Sequence, residues 1–338
     1  MTESGLHVVR RAVRQWLERY SPGAGDLVVA MSGGADSAAL CAGAAAEMPG
    51  CVHAVTIDHG LQEGSARVAA DAAAVARRAG CVNARVIRVE VTGAGGLEAA
   101  ARRARYAALN AARGEAPVLV AHTLDDQAET VLLGLARGSG PRSVAGMRPY
   151  SPPWGRPLLA VRRTMTRAAC AELGISPHED PHNSDPRFTR VRIRDEVLPL
   201  MEEVCRGGVA ESLARTAAQL QEDVEVLDDL ASALLDKARN GACLDVLVLR
   251  GEPAALRRRA VRSWLLESGA RGLTDRQLRA VDALVSDWRG QGPVAVPDAL
   301  NRAGEGARLV VERRHGTLGI AVQPRHSHPG TRPTEKGS

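Results

Sequence analysis

A short apolar run, residues 27–31, breaks at Ser32-Gly33-Gly34-Ala35-Asp36-Ser37 and gives way to an alanine-rich segment, 38–47. The apolar run fits a strand buried on both faces of a parallel sheet, and the alanines favour a helix. A strand, a glycine turn and a helix start, in that order, build an anion site. The N–H groups of the turn and of the first helical turn converge there, and the helix dipole adds partial positive charge. The loop lacks the lysine of Gly-x-x-x-x-Gly-Lys-Ser/Thr, a pattern that occurs nowhere in the chain. It carries Asp36 instead. A carboxylate beside phosphates requires a cation between them, so the loop implies Mg²⁺. The plain alternative is an ordinary turn capped by Ser32 and Ser37.

The strand-then-helix order repeats. Residues 51–57, 84–91 and 117–121 read as strands; 64–79, 97–112 and 125–136 read as helices. Such alternation predicts right-handed crossovers and an α/β fold with a doubly wound parallel sheet, whose ligands sit at the carboxyl ends of the strands. The candidate residues fall at those ends. Ahead of the sheet, Val8, Val9, Ala12, Val13, Trp16 and Leu17 form the stripe of a lead-in helix. Behind it come a Gly/Pro/Ser-rich loop over 138–157, a short helix over 167–173 and a Pro-rich irregular stretch over 178–187. The expected organisation is a catalytic domain over 1–200, a mostly helical domain over 201–290, a small β segment over 291–323 and a disordered tail over 324–338. A chain of 338 residues fits about two domains.

No run of the ~18 apolar residues needed to span a bilayer occurs, and the first residues lack the basic and apolar regions of a signal peptide. The six cysteines are scattered and form no Cys-x-x-Cys, which suits reduced thiols and a cytoplasmic location. Net charge is +5, and of 44 basic residues only Lys237 and Lys336 are lysine. Arginine binds phosphate bidentately and stacks on bases, so the balance favours nucleic acid, although a GC-rich genome gives the same bias. Aromatic residues make up 2% of the chain, too few for base-stacking platforms to dominate.

Ile57-Asp58-His59 ends the second strand, where doubly wound sites meet the base or ribose. The Ile57 backbone is expected at adenine; His59 lines the pocket or caps the strand. His122-Thr123-Leu124-Asp125-Asp126-Gln127-Ala128-Glu129-Thr130 is the second strong motif. Asp125 and Asp126 suit a helix start by dipole alone. Asp126 and Glu129, at i and i+3, share one face at the ligand rim. Two acids there would hold Mg²⁺ or the ammonium of an amine substrate. Arg102 and Tyr106 share a helical face with Arg105 beside them, and an arginine there could reach an α-phosphate; pairing of Glu98 with Arg102 is the bland alternative. Arg190, Arg192 and Arg194 would line one side of an extended segment and suit phosphates, whereas a helix start would spread them.

The Ser-Gly-Gly-x-Asp-Ser loop resembles that of the N-type ATP pyrophosphatases. With Ile57 to Leu61, Glu98 to Tyr106, His122 to Thr130, Gly138-Ser139-Gly140, Gly146-Met147, Arg156-Pro157-Leu158-Leu159 and Glu179-Asp180-Pro181 through Pro199, the chain over 25–200 resembles the tRNA(Ile)-lysidine synthetase family. Thr123 stands where that family often has a second His, and Val191 where an Asn is usual. Beyond residue 200 the likeness is weaker and suggests a helical tRNA-binding domain. The resemblance implies that ATP and Mg²⁺ activate C2 of the wobble cytidine of tRNA(Ile) with anticodon CAU, and that free L-lysine then displaces AMP. It implies nucleotide binding by Ser32, Gly33, Gly34, Ala35, Asp36, Ser37, Ile57, Asp58, His59 and Arg102, and a metal on Asp36 and Asp126. The catalytic set is Asp36, Arg102, His122, Asp126 and Glu129; Asp125, Asp126, Glu129, Arg190, Arg192 and Arg194 meet lysine or tRNA. No membrane partner is expected, and a homodimer is left open. The alternatives are a tRNA thiolase of the same superfamily, which would need paired cysteines, and a non-catalytic nucleotide-dependent RNA-binding protein.

Overall fold

The computed structural model describes the chain apart from residues 1–2, 24, 63, 93–95, 139, 181–184, 299–303, 305–306 and 325–338, and the Glu98 side chain. It divides into two compact units, Met1–Gln221 and Glu222–Ser338.

The first unit opens with α1 (Gly5–Tyr20) and then alternates: β1 (Leu27–Ala30), α2 (Ala35–Glu47), β2 (Val52–Asp58), α3 (Ser65–Arg78), β3 (Asn83–Arg88), α4 (Leu97–Ala112), β4 (Val118–Leu119) and α5 (Leu124–Ala136). There follow α6 (Pro141–Val144), β5 (Tyr150–Ser151), β6 (Trp154–Gly155), α7 (Arg163–Glu172), α8 (Thr189–Arg192), one π-helical turn (Ile193–Val197) and α9 (Leu198–Val204). The sheet order is β3-β2-β1-β4-β6-β5, parallel except for the edge strand β5. Its core lies on both faces because side chains alternate along each strand. Leu27, Val29, Ala54 and Leu119 pack with residues of α1, α2, α3 and α7, while Val28, Val55 and Val118 pack with Leu109 of α4. That is why the apolar run 27–31 does not alternate. Gly43 lets α1 and α2 approach closely, since a Cβ there would come within 2.6 Å of Val9 Cγ1.

The division falls inside α10 (Val209–Ala238), not at residue 200. The reason is packing: Val209 and Ala210 share an apolar cluster with Leu124 and Ala128 of α5 and with Ile193 and Leu198.

The second unit adds β7 (Arg239–Asn240), β8 (Cys243–Asp245), α11 (Val246–Arg250), α12 (Ala254–Glu267), α13 (Asp275–Ser286), β9 (Val294–Val296), β10 (Ala307–Arg314) and β11 (Thr317–Pro324). The strands form an antiparallel sheet in the order β7-β8-β11-β10-β9. Trp264, Leu265, Val281 and Leu284 pack with Leu309, Val311 and Leu318. Helices and strands expected as separate domains, 201–290 and 291–323, therefore share one core. The expected tail lies outside the described residues, except Pro324, which ends β11. Among the described residues no helix is long and apolar enough to cross a membrane.

Candidate active site

The strand order reverses between β1 and β4. β1 leads on to β2 on one side, and β4 leads to β6 on the other. Their carboxyl ends therefore splay apart and leave a crevice, the usual ligand position in such sheets. A cleft of about 570 Å³ opens there, walled by Ser32, Asp36, His59, His122, Asp126 and Arg163 among others. That volume suits a nucleotide-sized ligand.

The loop after β1 has the geometry an anion site needs. Gly33 sits at φ 91°, a conformation that strains any residue with a Cβ, and its Cα lies in a close-packed spot between Ala72 and His178. The Gly33 carbonyl accepts from the His178 N–H at 2.9 Å. Buried Ser37 donates to the Gly34 carbonyl at 2.9 Å and accepts from the Ser32 N–H at 3.2 Å, so it shapes the loop, whereas Ser32 is exposed. The first bond of α2 runs from the Ala38 N–H to the Gly34 carbonyl at 3.0 Å. The N–H groups of Ala35, Asp36 and Ser37 thus have no acceptor within the helix. The helix begins three residues earlier than expected, which places Asp36 in its first turn.

Across the cleft, α5 starts with a capping box. The Thr123 backbone N–H and hydroxyl donate to Asp126 Oδ2 at 2.8 and 3.0 Å, and Thr123 Oγ1 accepts from the Asp126 N–H. Half of the Asp126 carboxylate therefore holds the helix start. The other oxygen, Oδ1, faces Arg163 Nη2 at 2.7 Å. The same guanidinium reaches Asp36 Oδ2 at 3.4 Å and Glu129 Oε1 at 3.6 Å. Thr166, one turn along α7, donates to Asp36 Oδ1. Glu129 is fully buried and accepts from Arg194 Nε at 2.7 Å and Nη2 at 3.2 Å.

These surroundings set the proton affinities. Burial pushes the Asp36 carboxyl up, only partly countered by Thr166 and Arg163. Burial likewise raises Glu129 against the pull of Arg194. Burial also pushes Asp126 up, but Arg163, the Thr123 donors and His122 together hold it below the usual carboxylate range. Burial lowers His122 to about 4, so the ring is neutral near pH 7.

The other expected residues separate into groups. Asp125 pins α7: its Oδ2 accepts from the Arg163 N–H at 2.8 Å and its Oδ1 lies 3.5 Å from Arg162. Ile57, Asp58 and His59 line the cleft. Asp58 accepts from the Gly60 N–H at 3.0 Å, and the Ser65 hydroxyl, ahead of the Gly60 N–H, keeps its carboxyl low. Arg102 is exposed and turns to Tyr106, its Nη2 donating to the hydroxyl at 3.3 Å; Arg105 lines the cleft instead. Arg190, Arg192 and Arg194 do not line an extended segment. They lie on α8 and the π-helical turn, where Arg190 and Arg194 face Glu129 and Arg192 pairs with Glu196 at 2.8 Å. Arg163 and Thr166 were absent from the expected set. Their signal was two adjacent arginines at a helix start, a placement that the dipole disfavours without nearby acids.

Glycine geometry, free helix-start N–H groups and a loop carboxylate fit a triphosphate. Mg²⁺ usually takes one or two carboxylates and completes its shell with phosphates and water. Asp36 and Asp126, which touch one guanidinium, fit that pattern. Among the described residues no group of three or more His, Cys, Asp or Glu side chains forms a metal site of protein ligands alone. Thr56 Oγ1, His59 Nδ1 and His122 Nδ1, all on cleft-lining residues, are buried without hydrogen-bond partners. No cysteine is among the described cleft residues, so paired thiols for sulfur transfer are missing there.

Residues 6–201 match the family described as PP-loop domain, and residues 244–318, within the second unit, match the TilS substrate binding domain. The tRNA(Ile)-lysidine synthase of Nocardia farcinica is 60% identical over 319 residues, covering 94% of this chain and 99% of that protein. The chain belongs to the tRNA(Ile)-lysidine synthase family. A second tRNA(Ile)-lysidine synthase, from Rhodococcus opacus, is 58% identical and covers 96% of this chain and 98% of its own. Among solved structures, the U34-tRNA thiolase NcsA from Methanococcus maripaludis overlays with a TM-score of 0.49 at 17% identity, over 64% of this chain and 80% of that one. Membership of the synthase family makes this a PP-loop enzyme that uses ATP.

Proposed function

We propose that this chain attaches free L-lysine to C2 of the wobble cytidine in tRNA(Ile) with anticodon CAU, using ATP and releasing AMP and pyrophosphate. The observation that carries the reading is the opposition of two elements in one cleft. A phosphate loop leaves β1, an acid-bearing helix start leaves β4, and Asp36 and Asp126 meet on the single Arg163 guanidinium.

The reaction divides into two displacements. The N–H groups of 33–37 hold the β- and γ-phosphates. The C2 oxygen of cytidine attacks the α-phosphorus, an O–P bond forms, and the bond to pyrophosphate breaks. The ε-amine of lysine then attacks C2, the C2–O bond breaks, and AMP leaves. The proton lost by the amine passes to a carboxylate of the cleft. Asp36 and Asp126 would hold Mg²⁺, which neutralises phosphate charge when bound. Asp126, on the cleft wall, orients the lysine ammonium before it is deprotonated; Glu129, expected beside it, is fully buried and acts by holding Arg194 at that wall. Arg163 already carries positive charge beside the loop and is placed to stabilise charge developing on the α-phosphate.

Pyrophosphate release tests the reading. With the CAU tRNA and no lysine it should stop at about one equivalent per enzyme; with lysine it should continue, AMP should appear, and the tRNA should gain the mass of lysine less water. Sustained release without lysine, or AMP release only with a sulfur donor, would overturn it.

A further inference from the structure

Beside the β4 edge of the cleft lies a cluster that the proposed chemistry leaves unused. Tyr106 is its centre. Arg102 stacks on the ring at 4.8 Å and Arg105 at 5.5 Å, and Trp154 packs against it at 4.5 Å in an edge-on arrangement. Arg156 follows Trp154 by two residues and faces the Tyr106 hydroxyl. Arg105 and His122 both line the cleft, so the cluster borders it. Among the described residues no carboxylate pairs with Arg105 or Arg156. Arg156 donates from Nη1 to the Arg148 carbonyl at 3.0 Å and hydrogen-bonds the Tyr106 hydroxyl, and its Nε is buried without a partner. Burial holds both guanidiniums below the usual arginine range.

Half-buried like charges without counter-charge are costly, and proteins keep them where a ligand supplies that charge. Guanidiniums beside aromatic rings suit a nucleic-acid backbone. The loop after β1 already accounts for a triphosphate. We propose that Arg105 and Arg156, with Arg102 at the rim, form a second phosphate subsite, which takes a phosphodiester of the RNA strand delivering the target cytidine. This rests on the RNA-substrate reading above. Tyr106 and Trp154 hold the guanidiniums in place, and neutral His122 adds no further positive charge.

The test is equilibrium binding of an RNA hairpin carrying the CAU anticodon loop, measured against salt for the unaltered protein, Arg156→Gln and Arg156→Lys, with ATP binding measured separately. Arg156→Gln should make the slope of log affinity against log salt shallower by about one, Arg156→Lys should restore it, and ATP affinity should stay within about twofold. A hairpin with one neutral methylphosphonate beside the target cytidine should reproduce the loss on the unaltered protein and add nothing to Arg156→Gln. This arm stands even if the variant does not fold. An unchanged slope in both arms overturns the proposal, as does loss of ATP affinity with the slope intact, which would assign the cluster to the triphosphate. Neither lysine nor turnover enters these measurements. Failure here would leave the lysidine reading standing, and failure of lysine incorporation would leave this result interpretable.

Discussion

Both compact units contain arginine held by carboxylates, and the two arrangements differ in kind. In the second unit Arg257 on α12 meets Asp282 on α13 through two bonds, Nε at 2.6 Å and Nη2 at 3.1 Å, while Nη1 donates to the Glu252 carbonyl. The bidentate pair is buried and joins two helices, with Arg258 Nε 4.0 Å from the same carboxylate. In the first unit Arg163 serves Asp36, Asp126 and Glu129 at once, Arg194 reaches both Glu129 and Asp126, and Arg190 faces Glu129, so the charges are shared rather than paired. Its carboxylates are unevenly satisfied, since Asp36 and Glu129 are raised by burial while Asp126 is held low. A folded pKa above the unfolded one means that the proton helps the fold at low pH and that this help is lost as pH rises through the folded value. Near pH 7, Asp36 and Glu129 are therefore a burden on stability. A bidentate pair fastens two helices, whereas a shared cluster leaves its carboxylates unevenly satisfied.

The contrast can be broken most directly at Asp36. Asp36→Ala should lower turnover by about a thousandfold, read as pyrophosphate release, without lowering the melting temperature. A variant that melts early would place Asp36 with the locking pair. At the other pole, Asp282→Ala should cost about 3 kcal/mol of stability in denaturant unfolding, because Arg257 is left buried without its partner, whereas replacing both by leucine should be nearly neutral. An unperturbed single variant would show that the pair locks nothing. His122 sharpens the comparison through pH. Its folded pKa, about 4 against 6.5 unfolded, means the unfolded chain binds the extra proton first. Stability should be flat above pH 6.5 and fall toward pH 4, by at most about tenfold in the folding constant per pH unit, and His122→Gln should flatten that fall. The smallest expected effect is at Glu129. Glu129→Gln, felt at the cleft through Arg194, should raise the KM for lysine about tenfold and leave that for ATP nearly unchanged. Equal changes in both would show that Glu129 supports the whole site rather than its amine end.

The phosphate loop and the acid helix were legible because each is a local pattern. Ser32 to Ser37 and His122 to Thr130 carry their geometry within a few residues, and the alternation of strands and helices ordered them in space. Arg163 and Thr166 were not legible. A helix that begins on Arg163 runs against its dipole, so the pattern starts convincingly only at Arg167; the acids that offset the misfit lie on α2 and α5, far off in sequence. Arg102 was expected at the nucleotide and Arg105 lines the cleft instead, for a different reason. They lie three residues apart on one helix, and only packing of Tyr106 on Trp154 decides which of them turns to the cleft. The arginines at 190, 192 and 194 alternate as a strand would, yet Arg190 and Arg194 stack on one helical face because Ile193 and Leu198 are drawn into the cluster around α5. The shared core of the second unit escaped notice because β7 and β8 are only two and three residues long.

Arg162 and Arg163 are neighbours that look in opposite directions. Arg162 grips Glu211 in the first turn of α10 at 2.7 Å and Glu202 on α9 at 3.1 Å. A single peptide link thus joins the side chain that anchors the root of the long helix to the one that gathers the cleft acids Asp36 and Asp126, so the seat of α10 and the arrangement of those acids are fixed by one short stretch of backbone.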